Sequence, residues 1–392
     1  MSAADQLARR LSAGEARQAR ARIEATIRRT PVLSSRSLSE RWGGEAVLKA
    51  ENLQRTGSFK LRGALHRLEH LQGDAGVIAA SAGNHGQAVA FAARSRGVPC
   101  EVLMPADAPV AKVAAVAAFG GTVTLTGESV DNCIVLARER AAQTGAVFVH
   151  PFDDPEVVLG QATLGVELLD DVPELACVVV PIGGGGLITG IAGAIRAERP
   201  VRVIGVLAPA RPTIADGIAI KHPGALTAPL IERWVDELVT VEEDEVAEAM
   251  VWLMERAKLV VEGAGAVTVA ALLAGRVDPP PAGRTAVVLS GGNVDSGLLS
   301  EIVRRHESTA GRRLRLFTRI PDRPGGLARL LEAVARAGGN VVQADHVRDA
   351  AALHVRETGI ELALETRGSD HGEAILAALR AAGYEPVRQD TR

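Results

Sequence analysis

The chain has 392 residues, a net charge of -3 and 47% hydrophobic residues. This length predicts two or three domains with large buried cores, and the small net charge, without a long basic or acidic run, argues against nucleic acid or a membrane surface as a partner. Three widely spaced cysteines and an N-terminus without the apolar core of a signal peptide predict a soluble, cytoplasmic protein.

Short apolar runs rich in β-branched residues alternate with alanine-rich helical segments through most of the chain. Strands are predicted at residues 77–80, 101–104, 123–125, 147–150, 178–182, 201–206 and 286–290. Helices are predicted between them at residues 86–95, 110–119, 130–144 and 160–169. Continuous hydrophobicity is typical of parallel strands covered on both faces, so the class is α/β with open sheets, which bind ligands at the carboxyl ends of their strands.

The pattern changes after a polar stretch at residues 304–313. The remainder predicts the order strand, helix, strand, strand, helix, strand in about 80 residues, which is a ferredoxin-like arrangement. This segment has no catalytic set of its own, so we interpret it as regulatory. The predicted domains are a catalytic domain at 1–308, a linker at 309–313 and a smaller α+β domain at 314–392.

The most informative motif is Ser-Phe-Lys-Leu-Arg-Gly at residues 58–63, which places Lys60 at the start of a predicted helix. An ammonium group is disfavoured at a helix N-terminus, and a lysine among positive potential is more easily neutral and nucleophilic. An exposed surface lysine is the simpler alternative. Three glycine-containing turns, which lie further along the chain, argue against a simple surface role for Lys60.

The first turn, Ser-Ala-Gly-Asn-His at residues 81–85, joins a predicted strand to a predicted helix. Its backbone amides suit a carboxylate, and Asn84 can donate to a phenolic oxygen, although Asn and Ser also serve as simple helix caps. The second turn, Gly183 to Gly186, can wrap its N–H groups around a phosphate. A dinucleotide would need the pattern G-x-G-x-x-G, which fails because Ile188 and Thr189 occupy the last position.

The third turn, Ser-Gly-Gly-Asn at residues 290–293, follows a predicted buried strand. The hydroxyl of Ser290 can bond a neutral heterocyclic nitrogen, whereas an aspartate would keep that nitrogen protonated. Glu262 adds a carboxylate beside a helix start, which is also a common position for a purely structural acid. Together the motifs predict a site for pyridoxal 5'-phosphate, with a lysine for its Schiff base, a phosphate cup and partners for the ring hydroxyl and ring nitrogen.

From about Thr30 to about Arg304 the chain resembles the fold-type II pyridoxal-phosphate enzymes of the threonine dehydratase (threonine ammonia-lyase) and serine racemase group. The resemblance implies two open twisted α/β sheet subdomains. It also implies deamination of L-threonine to 2-oxobutanoate, and of L-serine to pyruvate, by α,β-elimination.

The same resemblance implies roles for individual residues. Lys60 carries the cofactor and later removes the α-proton of the substrate, while Phe59 packs against the ring. The other cofactor contacts are Asn84, Gly183, Gly184, Gly185, Gly186 and Ser290. The small-molecule amino-acid substrate contacts Ser81, Ala82, Asn84, His85 and Glu262.

The C-terminal portion resembles an ACT domain, a module that senses amino acids. Its matching ligand loop contains Asp322, Pro324, Gly325, Gly326 and Leu327. We expect a branched-chain amino acid, isoleucine before valine, to bind there at an interface within a homodimer or homotetramer.

Two positions depart from the family pattern. Serine racemases of this group have a second serine where this chain has Ala82, and a methyl group cannot reprotonate a substrate, so elimination is favoured. Leu207 replaces a glutamate and the segment after it is short, so we expect no metal site. Serine racemase, 3-hydroxyaspartate dehydratase and a catalytically silent amino-acid sensor remain as alternatives.

Overall fold

The structure is a computed structural model that describes residues 2–208, 213–219, 222–348 and 356–389. The chain divides into two units, Met1–Asp295 and Ser296–Arg392. The predicted catalytic domain ends at residue 308, which is later than the end of the first unit at Asp295, because the helix Ser296–Thr309 groups with the second unit. Among the described residues, no helix has both the length and the apolar composition needed to cross a bilayer.

The first unit alternates helices and strands, as predicted for an α/β domain. Its helices are α1 (Ala3–Arg10), α2 (Ala13–Ile23), α3 (Arg36–Trp42), α4 (Lys60–Glu69), α5 (Asn84–Arg96), α6 (Val110–Ala118), α7 (Val130–Thr144), α8 (Pro155–Asp171), α9 (Gly186–Arg196), α10 (Ala228–Trp234), α11 (Glu243–Trp252) and α12 (Gly263–Leu273). Its strands are β1 (Val32–Ser34), β2 (Glu45–Ala50), β3 (Val77–Ala80), β4 (Cys100–Met104), β5 (Thr122–Leu125), β6 (Val147–Phe148), β7 (Leu175–Pro181), β8 (Arg202–Leu207), β9 (Glu237–Thr240) and β10 (Arg284–Leu289).

The strands of this unit form two sheets. The larger sheet has the order β1-β2-β10-β7-β8-β9, and the smaller has the order β5-β4-β3-β6. All neighbours are parallel except β1 and β2, which confirms the predicted open parallel sheets. The sequence did not predict β1, β2 or β9. In β2 the polar residue Lys49 is fully buried, so the strand lacks the continuous apolar run that identifies its neighbours.

Helix α8 begins earlier than the predicted start at residue 160. The Asp154 side chain accepts hydrogen bonds from the N–H groups of Glu156 and Val157, and Pro155 occupies the first helical turn. These are strong N-terminal signals. The extra turn extends α8 beneath the smaller sheet, where Val157 joins its core.

The second unit follows the predicted order of elements. Helix α13 (Ser296–Thr309) precedes β11 (Arg313–Pro321), α14 (Gly326–Arg336), β12 (Asn340–Val347), β13 (Glu357–Glu365), α15 (Ser369–Ala381) and β14 (Val387–Arg388). The strands form one antiparallel sheet with the order β12-β13-β11-β14, and its core includes Leu316, Leu330 and Leu362.

Four charged side chains form a network inside the first unit. The Arg62 guanidinium on α4 donates to both carboxylate oxygens of Glu51 at 2.8 Å and to Glu167 of α8 at 2.7 and 2.9 Å. The Lys49 ammonium donates to Glu167 at 2.7 Å, and none of the four side chains is more than 1% exposed. Burial raises the pKa of the Glu167 carboxyl, but Arg62 and Lys49 outweigh it and hold that pKa below its usual value.

Replacement of Arg62 by methionine leaves the buried carboxylates of Glu51 and Glu167 without the guanidinium that pairs with both. Removing one partner of a buried ion pair typically costs about 3–5 kcal/mol, so we expect the free energy of unfolding to fall by about that amount. Urea unfolding followed by circular dichroism measures it. The matched control is Arg36→Met, whose exposed pair with Glu40 should leave the unfolding midpoint unchanged. Equal midpoints for the two variants would contradict the structural importance of the network.

Candidate active site

A cavity of about 460 Å³ lies in the first unit where the carboxyl ends of β3, β7 and β10 lead into loops and helices. It brings together every residue predicted for catalysis, cofactor binding and substrate binding. Its lining includes Phe59, Lys60, Ser81, Ala82, Asn84, His85, Gly183, Gly184, Gly185, Gly186, Glu262 and Ser290. Residues far apart in the sequence therefore meet at one site.

Lys60 is the first residue of α4, as predicted. Its ammonium nitrogen donates to the carbonyl oxygen of Pro151 at 2.8 Å and lies 5.2 Å from the centre of the Phe59 ring. Burial lowers the pKa of Lys60 to about 8, and the Glu262 carboxylate opposes this shift. The sequence predicts easier neutralisation of Lys60 from its place at a helix N-terminus, whereas in the structure burial is the largest cause of the lowered pKa.

The turn from Gly183 to Gly186 joins β7 to α9. Gly185 has a φ of 86°, and a side chain on Gly184 would begin 2.1 Å from the Phe152 ring. The Thr227 hydroxyl donates to the Gly184 carbonyl at 2.7 Å and holds the turn from behind. No side chain caps the N-terminus of α9 in the described part of the chain, so this helix end can bind an anion such as phosphate.

Ser290 directly follows β10 and is 2% exposed. Its hydroxyl donates to the Ala264 carbonyl at 3.3 Å, which is long for a hydrogen bond between oxygens. A hydroxyl rotates, so Ser290 can give up this weak bond and donate to a ring nitrogen in the cavity.

Asn84 begins α5 and contacts the predicted substrate residue Glu262. The Asn84 amide nitrogen donates to Glu262 Oε1 at 2.7 Å. Burial raises the pKa of Glu262 to about 7, while the hydrogen bond from Asn84 opposes the shift. Near neutral pH both the ionised and the protonated form of this carboxyl are therefore populated.

His85 is buried beside Asn84, and its ring is electrically neutral. Burial lowers the pKa of His85 to about 3, and Nε2 lies 2.9 Å from the carbonyl oxygen of Val149. A carbonyl only accepts hydrogen bonds, so Nε2 carries the ring proton and Nδ1 is left as an acceptor. The His85 side chain therefore brings no positive charge to the cavity.

Other cavity residues were not predicted individually, among them Lys112, Phe152, Asp216 and Asn293. Lys112 and Asp216 form an ion pair of 3.1 Å. Lys112, Phe152 and Asp216 lie outside the glycine-rich motifs, so no local sequence pattern indicates that they line the cavity. Asn293 is the last residue of the Ser-Gly-Gly-Asn motif, and this position beside Ser290 is the signal that indicates it.

Within the described ranges, His66, His70 and Glu156 form a group of potential metal ligands that does not line the cavity. Arg10 donates to both Glu156 oxygens, at 2.7 and 3.0 Å, and Arg22 contacts His70 Nε2 at 2.9 Å. Glu156 and His70 are thus already paired with guanidinium groups, and the Nδ1 atoms of both histidines already bond backbone carbonyls. The prediction that no cation binds after Leu207 rests in part on residues 209–212, which lie outside the described residues.

Comparison with known proteins identifies the chemistry of the cavity. Residues 23–291 match the family model described as "Pyridoxal-phosphate dependent enzyme". The chain belongs to this family. Its curated relatives include the L-threonine ammonia-lyase of Geobacter sulfurreducens, with 46% identity over 93% of this chain and 96% of the relative. The L-threonine ammonia-lyase of Thermotoga maritima is 43% identical over 94% of this chain and 97% of its own length.

Among solved structures, maize serine racemase is similar, with a TM-score of 0.70 and 33% identity over 76% of this chain and 98% of that protein. Membership of the pyridoxal-phosphate dependent family gives the enzyme pyridoxal phosphate as its cofactor, which when bound withdraws electrons from the α-carbon of an amino acid. The cavity fits this group, because an amine nucleophile, an uncapped helix N-terminus for phosphate and the polar groups of Asn84 and Ser290 face one space.

Attachment of pyridoxal phosphate to the cofactor-free protein requires a neutral Lys60 amine. With a Lys60 pKa of about 8, the attachment rate should rise with a midpoint near pH 8 and level off at higher pH. Stopped-flow absorbance after mixing at different pH values measures this rate. In Glu262→Gln the midpoint should move to lower pH, since the carboxylate that favours the ammonium is gone. A midpoint near the usual lysine value of about 10.4 would contradict the burial effect.

Proposed function

We propose that this enzyme is a threonine ammonia-lyase. It converts L-threonine to 2-oxobutanoate and ammonia, and L-serine to pyruvate and ammonia, by α,β-elimination. The observation that carries the proposal is the convergence of Lys60, the glycine turn, Asn84 and Ser290 on one cavity. Two relatives named L-threonine ammonia-lyase, 46% and 43% identical over nearly the whole chain, support this substrate.

The residues of the cavity have distinct proposed roles. The Lys60 amine holds the cofactor and then removes the α-proton, a task suited to a base whose pKa burial has lowered to about 8. Gly183 to Gly186 bind the phosphate, and Phe59 packs against the ring. Asn84 and Ser290 bond the ring oxygen and the ring nitrogen.

The α-carboxylate of the substrate is proposed to lie at the start of α5. Ser81, Asn84 and His85 surround this position, and the neutral His85 ring leaves the binding to peptide N–H groups and polar side chains. Glu262 is proposed to face the substrate in the protonated or ionised form, depending on pH.

Serine racemase is the second candidate, because maize serine racemase shares the fold. Racemisation needs an acid on the face of the substrate opposite the lysine. Ala82 lines the cavity and offers only a methyl group. Ala82 therefore favours elimination over racemisation. Among elimination substrates, 3-hydroxyaspartate is a further candidate to compare with threonine and serine.

Lys60→Ala should lower the rate of 2-oxo acid formation from L-threonine by about 10³-fold or more, because both the covalent attachment and the base are lost. Lys60→Arg is the matched control for charge: it keeps a cation but cannot replace the amine, so it should be equally inactive. Circular dichroism checks that both variants fold. Turnover in either variant, or no turnover of threonine, serine and 3-hydroxyaspartate by the intact enzyme, would refute the assignment. Formation of D-serine faster than pyruvate would identify a racemase.

The second unit is proposed to be an ACT-type regulatory domain that binds a branched-chain amino acid, isoleucine before valine, within a homodimer or homotetramer. A cavity of about 360 Å³ contains all five predicted loop residues, namely Asp322, Pro324, Gly325, Gly326 and Leu327. Gly325 has a φ of 82°, and no side chain caps the following helix α14 in the described part of the chain. Arg348 lies 3.5 Å from Asp322, so the cavity offers one group for an α-carboxylate and one for an α-amine.

Arg348→Ala should weaken isoleucine binding about tenfold, since a charged hydrogen-bond partner is lost. Calorimetric titration of isoleucine and valine into the intact enzyme measures this binding. Arg336→Ala, at the far end of α14 and outside the cavity, is the matched control and should bind normally. If the intact enzyme binds no amino acid other than its substrates, the second unit has a structural role instead.

A further inference from the structure

Asn293 forms a chain of hydrogen bonds that ends at the proposed cofactor residue Asn84. The Asn293 amide nitrogen donates to the backbone carbonyl of Thr56 at 2.9 Å and to Asn84 Oδ1 at 2.5 Å. Asn84 Nδ2 in turn donates to Glu262 Oε1 at 2.7 Å. Both N–H groups of Asn293 are therefore used, one on the backbone and one on Asn84.

The Thr56 carbonyl determines which group donates and which accepts in each of these hydrogen bonds. A backbone carbonyl can only accept, so the atom of Asn293 that faces it must be the amide nitrogen. The second N–H of that nitrogen then faces the oxygen of Asn84. The opposite end of the Asn84 amide, its NH₂ group, is consequently directed towards Glu262. One Asn84 N–H bonds Glu262, and the other is left as a donor for a group in the cavity.

Two glycines leave the space that this arrangement needs. Gly57 has a φ of 76°, and a Cβ atom on it would lie 2.3 Å from Asn293 Oδ1. A Cβ atom on Gly291 would lie 2.2 Å from Glu262 Oε1 and 3.2 Å from Asn84 Nδ2. Side chains at these positions would collide with the hydrogen-bonded groups. The glycines that flank the chain of bonds therefore allow the close approach of its members.

We infer that Asn293 is a positioning residue, which holds Asn84 with its NH₂ group, and not its carbonyl oxygen, available to the phenolic oxygen of the cofactor. The inference deepens the proposed role of Asn84 and rests on it. A donor at that place favours the ionised form of the phenolic oxygen, while a carbonyl would repel it. Asn293 thus acts on the cofactor through Asn84.

The test is Asn293→Asp. A carboxylate cannot donate to the Thr56 carbonyl or to Asn84 Oδ1, so the Asn84 amide should turn around and present its oxygen. We expect pyridoxal phosphate to bind the cofactor-free protein about tenfold more weakly, and the absorbance of the bound cofactor to shift towards the form with a neutral phenol. Asn293→Ala, which removes both donors without adding charge, should weaken binding less. It also keeps the test valid if the aspartate variant does not fold.

Two comparisons separate this inference from the proposed function. Asn340→Asp makes the same chemical change in the second unit, where the Asn340 amide donates to Glu365, and should leave cofactor binding unchanged. In an Asn84→Ala background, Asn293→Asp should add almost nothing, because the two residues act in series. If Asn84→Ala changes affinity and spectrum but Asn293→Asp changes neither, the positioning role of Asn293 is refuted alone. If Asn84→Ala also leaves both the affinity for pyridoxal phosphate and its spectrum unchanged, the proposed role of Asn84 in cofactor binding is refuted as well.

Discussion

The buried charges around Arg62 are the constraint on which the geometry of the active site depends. Arg62 lies two residues after Lys60 and on the same helix, and its guanidinium is held between Glu51 and Glu167 by paired hydrogen bonds. Removing four charged groups from water is costly, and only nearly complete pairing compensates for that cost. A displacement of α4 would break several of these bonds together. The start of the helix, and with it the reactive amine, is therefore confined to one place.

The loops around Lys60 are held by backbone contacts and not by charged side chains. They contain small residues where the backbone must come close to other groups. A Cβ atom on Gly184 would lie 2.1 Å from the Phe152 ring, so any side chain there would displace the wall of the cavity. The antiparallel bridge between Ser58 and Gly291 and the hydrogen bond from the Phe59 N–H to the Ser290 carbonyl join two of these loops directly. Rigid buried charges thus fix the helix, while backbone contacts fix the position of the loops against it.

The local motifs were sufficient to identify residues that line one cavity, but not the electrostatics of that cavity. Lys60, Asn84, Gly183 to Gly186 and Ser290 each follow or begin a regular element, and ligands bind at the carboxyl ends of parallel strands. Asn84 follows β3 of the smaller sheet, whereas Gly183 and Ser290 follow β7 and β10 of the larger sheet, so their meeting depends on how the two sheets pack and not on the strand pattern alone. The bond between Arg62 and Glu167 joins residues 105 positions apart, and no local pattern indicates it. The pKa of Lys60 likewise depends mainly on burial, which follows from the assembled cavity. Strand β2 escaped prediction for a related reason, since its buried Lys49 resembles a surface residue until its partners are known.

The neutral ring of His85 has a consequence for the way the enzyme responds to acidity. Since burial keeps the pKa of His85 at about 3, this ring does not change charge over the range in which proteins usually work. Peptide N–H groups at the start of α5 do not titrate at all. Neither the His85 ring nor these N–H groups therefore contributes a pH-dependent charge at this end of the cavity. Lys60 and Glu262, with pKa values of about 8 and about 7, do change charge near neutral pH, and Glu262 contacts Asn84 at the start of the same helix, so acidity acts on both ends of the cavity through these two groups.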